Sequence, residues 1–216
     1  MYEVILFDLD GTLTDPKLGI TKSVQYALAK FGIKEPDLEK LVHFIGPPLI
    51  HSFKESYNFS EEDARQGVVY YREYFTQQGI YENAVFPGIP ELLARLQKEG
   101  KKLVVATSKP TVFAVQILQH FSLDQFFPLV IGSNLDGTRI EKNEVIEFAL
   151  SQLAALPLEK TVMVGDRKHD IIGAKHNGIA VIAVAYGYGT SEELAKAEPN
   201  YLVSSVKELE ILLSKN

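Results

Sequence analysis

The chain has 216 residues, 46% of them hydrophobic and 23% charged, with a formal net charge of −6 and no cysteine. That length buries a full core as one domain, or as one domain with an insertion. The acidic balance, without a Lys/Arg cluster, argues against a nucleic-acid partner, and the lack of cysteine excludes disulfides, thiolate catalysis and cysteine-based zinc sites.

The first predicted element is a short apolar run, Val4–Phe7, that ends in Asp8-Leu9-Asp10-Gly11. Too short for a helix, it reads as a strand buried on both faces, as in parallel sheets. Asp8 and Asp10 then sit at its carboxyl end, where open α/β sheets place their ligands. Two crowded carboxylates repel, so a site that keeps both holds a cation or a shared proton. The plainer alternatives are a hairpin turn at Asp-Gly and a capping Asp before the next helix. A calcium loop does not fit, because it needs glycine sixth and glutamate twelfth, whereas here glycine is fourth and Gly19 is twelfth.

From Pro16 to Ala84 the pattern is helical. Ile20, Val24, Ala27, Leu28 and Phe31 recur at helix spacing before Gly32. Leu38, Leu41, Val42 and Ile45 follow, until Gly46-Pro47-Pro48 interrupts. Ser60 and Asp63 resemble a capping box before a helix carrying Val68, Tyr71, Tyr74 and Phe75. From Phe86 onward strands and helices alternate. Helix 89–99 precedes strand 102–106, helix 111–121 precedes strand 129–131, and helix 144–153 precedes strand 161–164. Helix 170–176, strand 180–185, a short helix capped by Thr190 and Glu193, strand 201–203 and helix 206–213 complete the chain. Such alternation specifies an α/β fold with a doubly wound, Rossmann-like parallel sheet. The expected organisation is a core of residues 1–15 and 85–216 with an inserted all-helical unit, 16–84.

Three predicted strands end in residues of useful type: Asp8 and Asp10; Thr107-Ser108-Lys109; and Gly165-Asp166 with Asp170. Singly, each has a modest plainer alternative: Thr107 or Ser108 as the cap of the following helix, and Asp166 likewise. Together they gather several carboxylates and a hydroxyl on one sheet edge, which a magnesium ion with hard oxygen ligands would make tolerable. Lys142, at a helix start, is a candidate counter-charge, although a lone lysine is ordinarily a solvated one.

These residues carry a resemblance. Asp8-Leu9-Asp10-Gly11-Thr12, Thr107, Lys142 and Gly165-Asp166 with Asp170 look like the four ordered motifs of the haloacid dehalogenase superfamily. The insertion is similar to that superfamily's helical cap. Phe44–Leu49 and Phe86-Pro87-Gly88 resemble its phosphoglycolate phosphatase branch, with 5′-nucleotidases and aryl-phosphate or phosphotyrosine phosphatases as alternatives. The resemblance implies a magnesium-dependent phosphomonoester hydrolase acting on a small phosphorylated metabolite. Asp8 would be the nucleophile, giving an aspartyl-phosphate, and Asp10 the general acid/base. Asp8, Asp10 (through its main-chain carbonyl), Asp166 and Asp170 would hold Mg²⁺. Thr107 and Lys142 would serve catalysis and, with Ser108, bind phosphate. Gly46 and Pro47 would lie in a substrate-facing loop, the plain alternative being a helix-breaking turn. Tyr70, Tyr71, Tyr74 and Phe75 are expected in the core rather than in a pocket. Lys109 could reach phosphate, although the resemblance fixes no role for it, and His169 is given none.

A β-phosphoglucomutase-type phosphotransferase would share Asp8 and Asp10, so the motifs leave it open. A dehalogenase would have no use for the metal-binding carboxylates, and a phospho-receiver module would need neither a second Asp nor a cap. A Ser/His/Asp triad lacks its G-x-S-x-G elbow. Gly187-Tyr188-Gly189 is only a fragment of a dinucleotide loop. No signal-like or membrane-length segment is read, so the expected setting is cytoplasmic, without membrane contact, as a monomer or homodimer.

Overall fold

The computed structural model describes residues 2–153 and 157–215. It divides into two compact units: Met1–Asp15 with Val85–Asn216, and Pro16–Ala84. In chain order, β1 (Val4–Phe7) and β2 (Thr14–Asp15) precede the helical unit, which holds α1 (Lys17–Lys30), a 3-10 helix (Leu38–Phe44), α2 (Leu49–Tyr57) and α3 (Glu61–Tyr74). After β3 (Ala84–Val85) come α4 (Ile89–Lys98), β4 (Lys102–Pro110), α5 (Thr111–His120) and β5 (Leu129–Ser133). Then follow α6 (Lys142–Ser151), β6 (Thr161–Gly165), α7 (Lys168–His176), β7 (Ala180–Val184), α8 (Ser191–Ala197), β8 (Tyr201–Val203) and α9 (Val206–Lys215).

The larger unit is built on a six-stranded sheet in the order β5-β4-β1-β6-β7-β8, every pair parallel. Side chains alternate across a strand. Val4, Leu6, Val104, Ala106, Met163, Val181 and Ala183 therefore face one side, packed with Val145, Ile146 and Ala149 of α6, Ile171 and Ala174 of α7, and Leu194 of α8. Ile5, Phe7, Leu103, Val105, Val162 and Val164 point the other way and are equally buried. That side carries α4 and α5 against β4, with α9 packed on α4 and β8. The sheet is thus doubly wound, and the central strand β1 is apolar on both faces. Its first polar residue is Asp8, whose N–H still reaches the Val164 carbonyl at 2.9 Å. The chain order places the carboxyl ends of β1, β4 and β6 side by side.

Several elements differ from their sequence-based bounds for identifiable reasons. Strand β4 runs past Ala106 to Pro110, with its register on β5 shifting between the two, so Thr107, Ser108 and Lys109 stand on an irregular extension. The Thr190 cap forms, its hydroxyl accepting from Glu193 N–H at 3.1 Å. Glu193 does not complete the box, because its carboxylate is taken by the Arg167 guanidinium and Lys168 N–H, both at 2.9 Å.

In the helical unit Ser60 caps α3, its hydroxyl accepting from Asp63 N–H at 3.0 Å. Helix α2 has no counterpart in the sequence reading. It begins where Gly46 (φ 105°) turns the chain and Pro48 serves as N-cap, so Gly46-Pro47-Pro48 both breaks one helix and starts the next. The aromatic expectation divides. Tyr71 and Phe75 are core residues, stacked 5.3 Å apart, and half-buried Tyr70 sits edge-on to Phe31. Tyr74 instead lines a groove of about 610 Å³ with Lys22, Gln25, Tyr26, Ile33 and Lys34. Among the described residues no helix is long and apolar enough to cross a membrane.

Candidate active site

At the carboxyl edge of the sheet the exit from β1 is a tight turn. The Gly11 N–H bonds the Thr14 carbonyl at 2.8 Å, and the Leu13 and Thr14 N–H groups bond the Leu9 carbonyl at 2.9 and 3.0 Å. Gly11 adopts φ 82°, and a Cβ there would overlap the Asp166 carboxylate. Glycine is therefore required both for the backbone conformation and for the approach of the two loops. The turn leaves Asp8 and Asp10 buried at the head of β1.

Asp166 follows β6 directly, and Asp170 lies two residues inside the start of α7, where its Oδ2 accepts from Arg167 N–H at 3.0 Å. Both carboxylates are fully buried. Asp8, Asp166 and Asp170 each offer one oxygen to a group lying within 4.8 Å of one another. Lys142, the first residue of α6, turns its chain inward and places Nζ 2.8 Å from both Asp8 Oδ1 and Asp170 Oδ1, and 3.1 Å from the Ala106 carbonyl. A cation at a helix N-terminus opposes the helix dipole, so this placement is sustained by the carboxylates. Burial lowers the Lys142 pKa, but Asp170 and Asp8 outweigh it and hold the ammonium well above its ordinary pKa. Asp166 is pushed well up by burial, with Asp170 and Asp8 adding to the shift. Asp170 is raised by burial, against the pull of Lys142.

This donor set fits a hard divalent cation. Among the described residues, Asp8 Oδ1 and Asp170 Oδ1 have no hydrogen-bond partner beyond the ion pairs they share with the Lys142 ammonium. One positive charge against three buried carboxylates leaves the pocket negative, and a ligand shell of carboxylate oxygens matches magnesium chemistry.

The Asp10 side chain lies outside that group. Its Oδ2 pairs with the Lys109 ammonium, both side chains nearly buried, while its Oδ1 is buried with no hydrogen-bond partner among the described residues. Burial raises the Asp10 pKa, and Lys109 partly offsets that. The structure thus brings Lys109 into the site. No sequence pattern marked it beyond its position two residues after Thr107 on the irregular end of β4. Thr107 is buried, and its hydroxyl oxygen accepts from Lys109 N–H at 3.3 Å. The Ser108 carbonyl accepts from the Ser133 hydroxyl at 2.8 Å, which ties the extension of β4 to β5. His169, half-buried beside Arg167 and Lys168, has its pKa pushed down to about 4, desolvation being the largest cause. Gly46 and Pro47 belong to the helical unit, at the start of α2.

The sequence reading also missed how Asp166 is held. The Thr12 hydroxyl donates to its Oδ1 at 3.3 Å, and the Tyr188 N–H donates to its Oδ2 at 2.7 Å. Tyr186 donates its hydroxyl to the Thr12 carbonyl at 3.0 Å.

Residues 5–184 match the model of the haloacid dehalogenase-like hydrolase family. A 5′-nucleotidase of Pseudomonas aeruginosa is 51% identical over 215 residues, covering 100% of this chain and 97% of that protein. The tyrosine-protein kinase PtkA of Mycobacterium tuberculosis is 41% identical over 194 residues, 90% of this chain and 66% of that protein. A phosphoglycolate phosphatase of Pseudomonas savastanoi is 28% identical, over 96% of this chain and 78% of that protein. The crystal structure of a predicted phosphatase from Clostridium acetobutylicum superposes with a TM-score of 0.97 at 50% identity, over 100% of both chains. The carboxylate-lined edge of the parallel sheet and these relatives agree: the chain belongs to the haloacid dehalogenase-like hydrolases, and to the phosphatases among them.

Proposed function

We propose that the protein is a magnesium-dependent phosphomonoesterase that works through an aspartyl-phosphate on Asp8. The observation that carries this is the pairing of two differently equipped carboxylates on one turn: Asp8 in the Asp166–Asp170–Lys142 group, and Asp10 two residues on, outside it and against Lys109. Phosphoryl transfer asks the protein mainly for positioning and electrostatic stabilisation. Asp8 would attack phosphorus while the ester oxygen leaves, forming the acyl phosphate. Asp10 would deliver a proton to the departing alkoxide and later take one from the water that hydrolyses the acyl phosphate. Its buried setting and raised pKa support the proton-holding state that the first step needs. Thr107 and Ser108 would offer hydrogen bonds to the phosphoryl oxygens, and Lys142 would offset charge on nucleophile and phosphate.

Asp8, Asp166, Asp170 and the main-chain carbonyl of Asp10 would hold Mg²⁺. When bound, the ion supplies positive charge that shields the nucleophile from the phosphate dianion.

On the ester itself, phosphoglycolate stood first in the sequence reading. The 51% relative named 5′-nucleotidase now favours nucleoside 5′-monophosphates. The PtkA relationship supports a second reading, transfer to or from a phenolic oxygen. We assign the choice between esters to the helical unit Pro16–Ala84, read as a cap with Gly46 and Pro47 in its substrate loop.

Phosphate release with magnesium, measured across nucleoside 5′-monophosphates, 2-phosphoglycolate, phosphotyrosine, sugar phosphates and p-nitrophenyl phosphate, tests this reading. The expected result is turnover that chelation removes, with kcat/KM highest for the nucleotides. Highest kcat/KM for phosphoglycolate would restore the first assignment. A phosphoenzyme that hands its phosphate back to a sugar phosphate would make the protein a mutase.

A further inference from the structure

We infer that the loop Tyr186-Gly187-Tyr188-Gly189 is the positioning element that fixes Asp166 for the divalent cation, an inference that rests on the cation reading of Asp8, Asp166 and Asp170. The loop follows β7, the strand next to β6 in the sheet. Its backbone lies directly on Asp166. A Cβ on Gly187 would overlap the Asp166 side chain and the Gly11 carbonyl, and one on Gly189 would overlap the Asp166 carbonyl. Only residues without side chains permit this approach.

The close approach delivers a donor. Tyr188 N–H reaches Asp166 Oδ2 at 2.7 Å, while the Thr12 hydroxyl reaches Oδ1 at 3.3 Å. A carboxylate has about four lone-pair positions. One donor on each oxygen therefore sets the plane of the group and still leaves lone pairs for an ion. The two tyrosine hydroxyls tie the same loop to the turn after β1, Tyr186 to the Thr12 carbonyl at 3.0 Å and Tyr188 to Asp15 Oδ1. The loop thus holds the turn bearing Asp8 and the carboxylate of Asp166 in fixed relation. A loop serving only to connect β7 to α8 would not need to aim an amide at a fully buried carboxylate. Partners of this kind around a metal ligand are worth about 10–100-fold in metal affinity.

The test uses the full chain and magnesium chloride alone. Unfolding temperature and titration heat are followed against magnesium concentration for the wild type, Asp166→Asn, Gly187→Ala and Tyr186→Phe. The wild type should show a saturable titration heat and a Tm that climbs steadily with magnesium, and Asp166→Asn neither. Gly187→Ala should need about 10–100-fold more magnesium for half of the effect, and saturating magnesium should restore its phosphate release. Tyr186→Phe, which keeps the backbone intact, should shift the half-point in the same direction. A variant that merely loosens the fold would lower the metal-free Tm and leave the half-point unmoved. That outcome in both variants, or in Tyr186→Phe alone if Gly187→Ala does not fold, overturns the inference while the cation reading stands. No response in the wild type contradicts the cation reading, and the loop's role with it.

Discussion

Asp8→Asn is expected to abolish turnover while leaving a folded protein. The amide has the size of the carboxylate, and β1 is anchored on both sides by β4 and β6 with an apolar pattern that the substitution does not touch. What it removes is the only group in the pocket proposed to bond phosphorus. Loss of a covalent nucleophile costs on the order of 10⁴-fold or more in kcat, because the remaining residues act only through it. Binding is expected to survive, since Thr107, Ser108 and Lys142 remain. Steady-state phosphate release together with a Tm measurement checks both halves. Activity within about tenfold of wild type in a folded Asp8→Asn protein would remove Asp8 from the nucleophile role.

Lys142→Met is expected to carry a large stability effect. The lysine is buried against Asp8 and Asp170, and methionine fills similar volume without the charge. Breaking a buried ion pair on one side costs about 3–5 kcal/mol. For a chain of this size that corresponds to a Tm lowered by roughly 6–20 °C without metal. The pH dependence follows from the carboxylates left behind. Burial already raises the Asp166 and Asp170 pKa values above their unfolded ones. The folded state therefore binds more protons, and stability is lost as pH rises from the ordinary carboxylate range through the folded values. The deficit of the variant should accordingly be largest at neutral pH and shrink toward pH about 5. Magnesium should recover part of it at neutral pH, since a divalent ion returns positive charge to the same oxygens. Calorimetry of both proteins at the two pH values, with and without magnesium, reads all of this. A deficit independent of pH would show that methionine packing rather than charge is responsible.

Much of the fold was legible because its signals are local and repeat. The alternation after Phe86, with apolar runs such as Val104–Ala106 and Val162–Val164, leaves little choice other than a parallel sheet, and the polar residue that ends each strand marks the functional edge. Helix α2 was not legible. Its start is set by a proline N-cap without a side-chain hydrogen bond, and its pattern, Leu49–Tyr57, lacks the Ser/Asp signal that marked α3.

In the site, Asp8, Asp166, Asp170 and Lys142 lie together; the strand ends had placed the carboxylates on one sheet edge, and Lys142 was a candidate counter-charge that the family resemblance implied. The pairing of Lys109 with Asp10 and the placing of the Tyr186–Gly189 loop on Asp166 escaped because they arise only in three dimensions. The ammonium of Lys109 meets Asp10 across 99 positions of sequence, and Tyr188 N–H meets Asp166 across 22. A glycine-tyrosine loop has no chemistry of its own in the sequence; its function comes from which backbone amide faces which carboxylate. The helical unit is the converse case. Helices α1 and α3 were readable, but the choice of ester proposed for this unit would rest on side chains whose pattern, as with Tyr71 in the core and Tyr74 in a groove, does not separate packing from recognition.

The most direct test of the central claim is to trap the covalent intermediate. Wild-type protein, turning over a nucleoside 5′-monophosphate with magnesium, is quenched rapidly, reduced with borohydride and mapped by mass spectrometry. The expected result is conversion of Asp8, and of no other carboxylate, to homoserine, the product of reducing an aspartyl-phosphate. Continued turnover with Asp8 unmodified at every quench time, or reduction at Asp10 in its place, would contradict it.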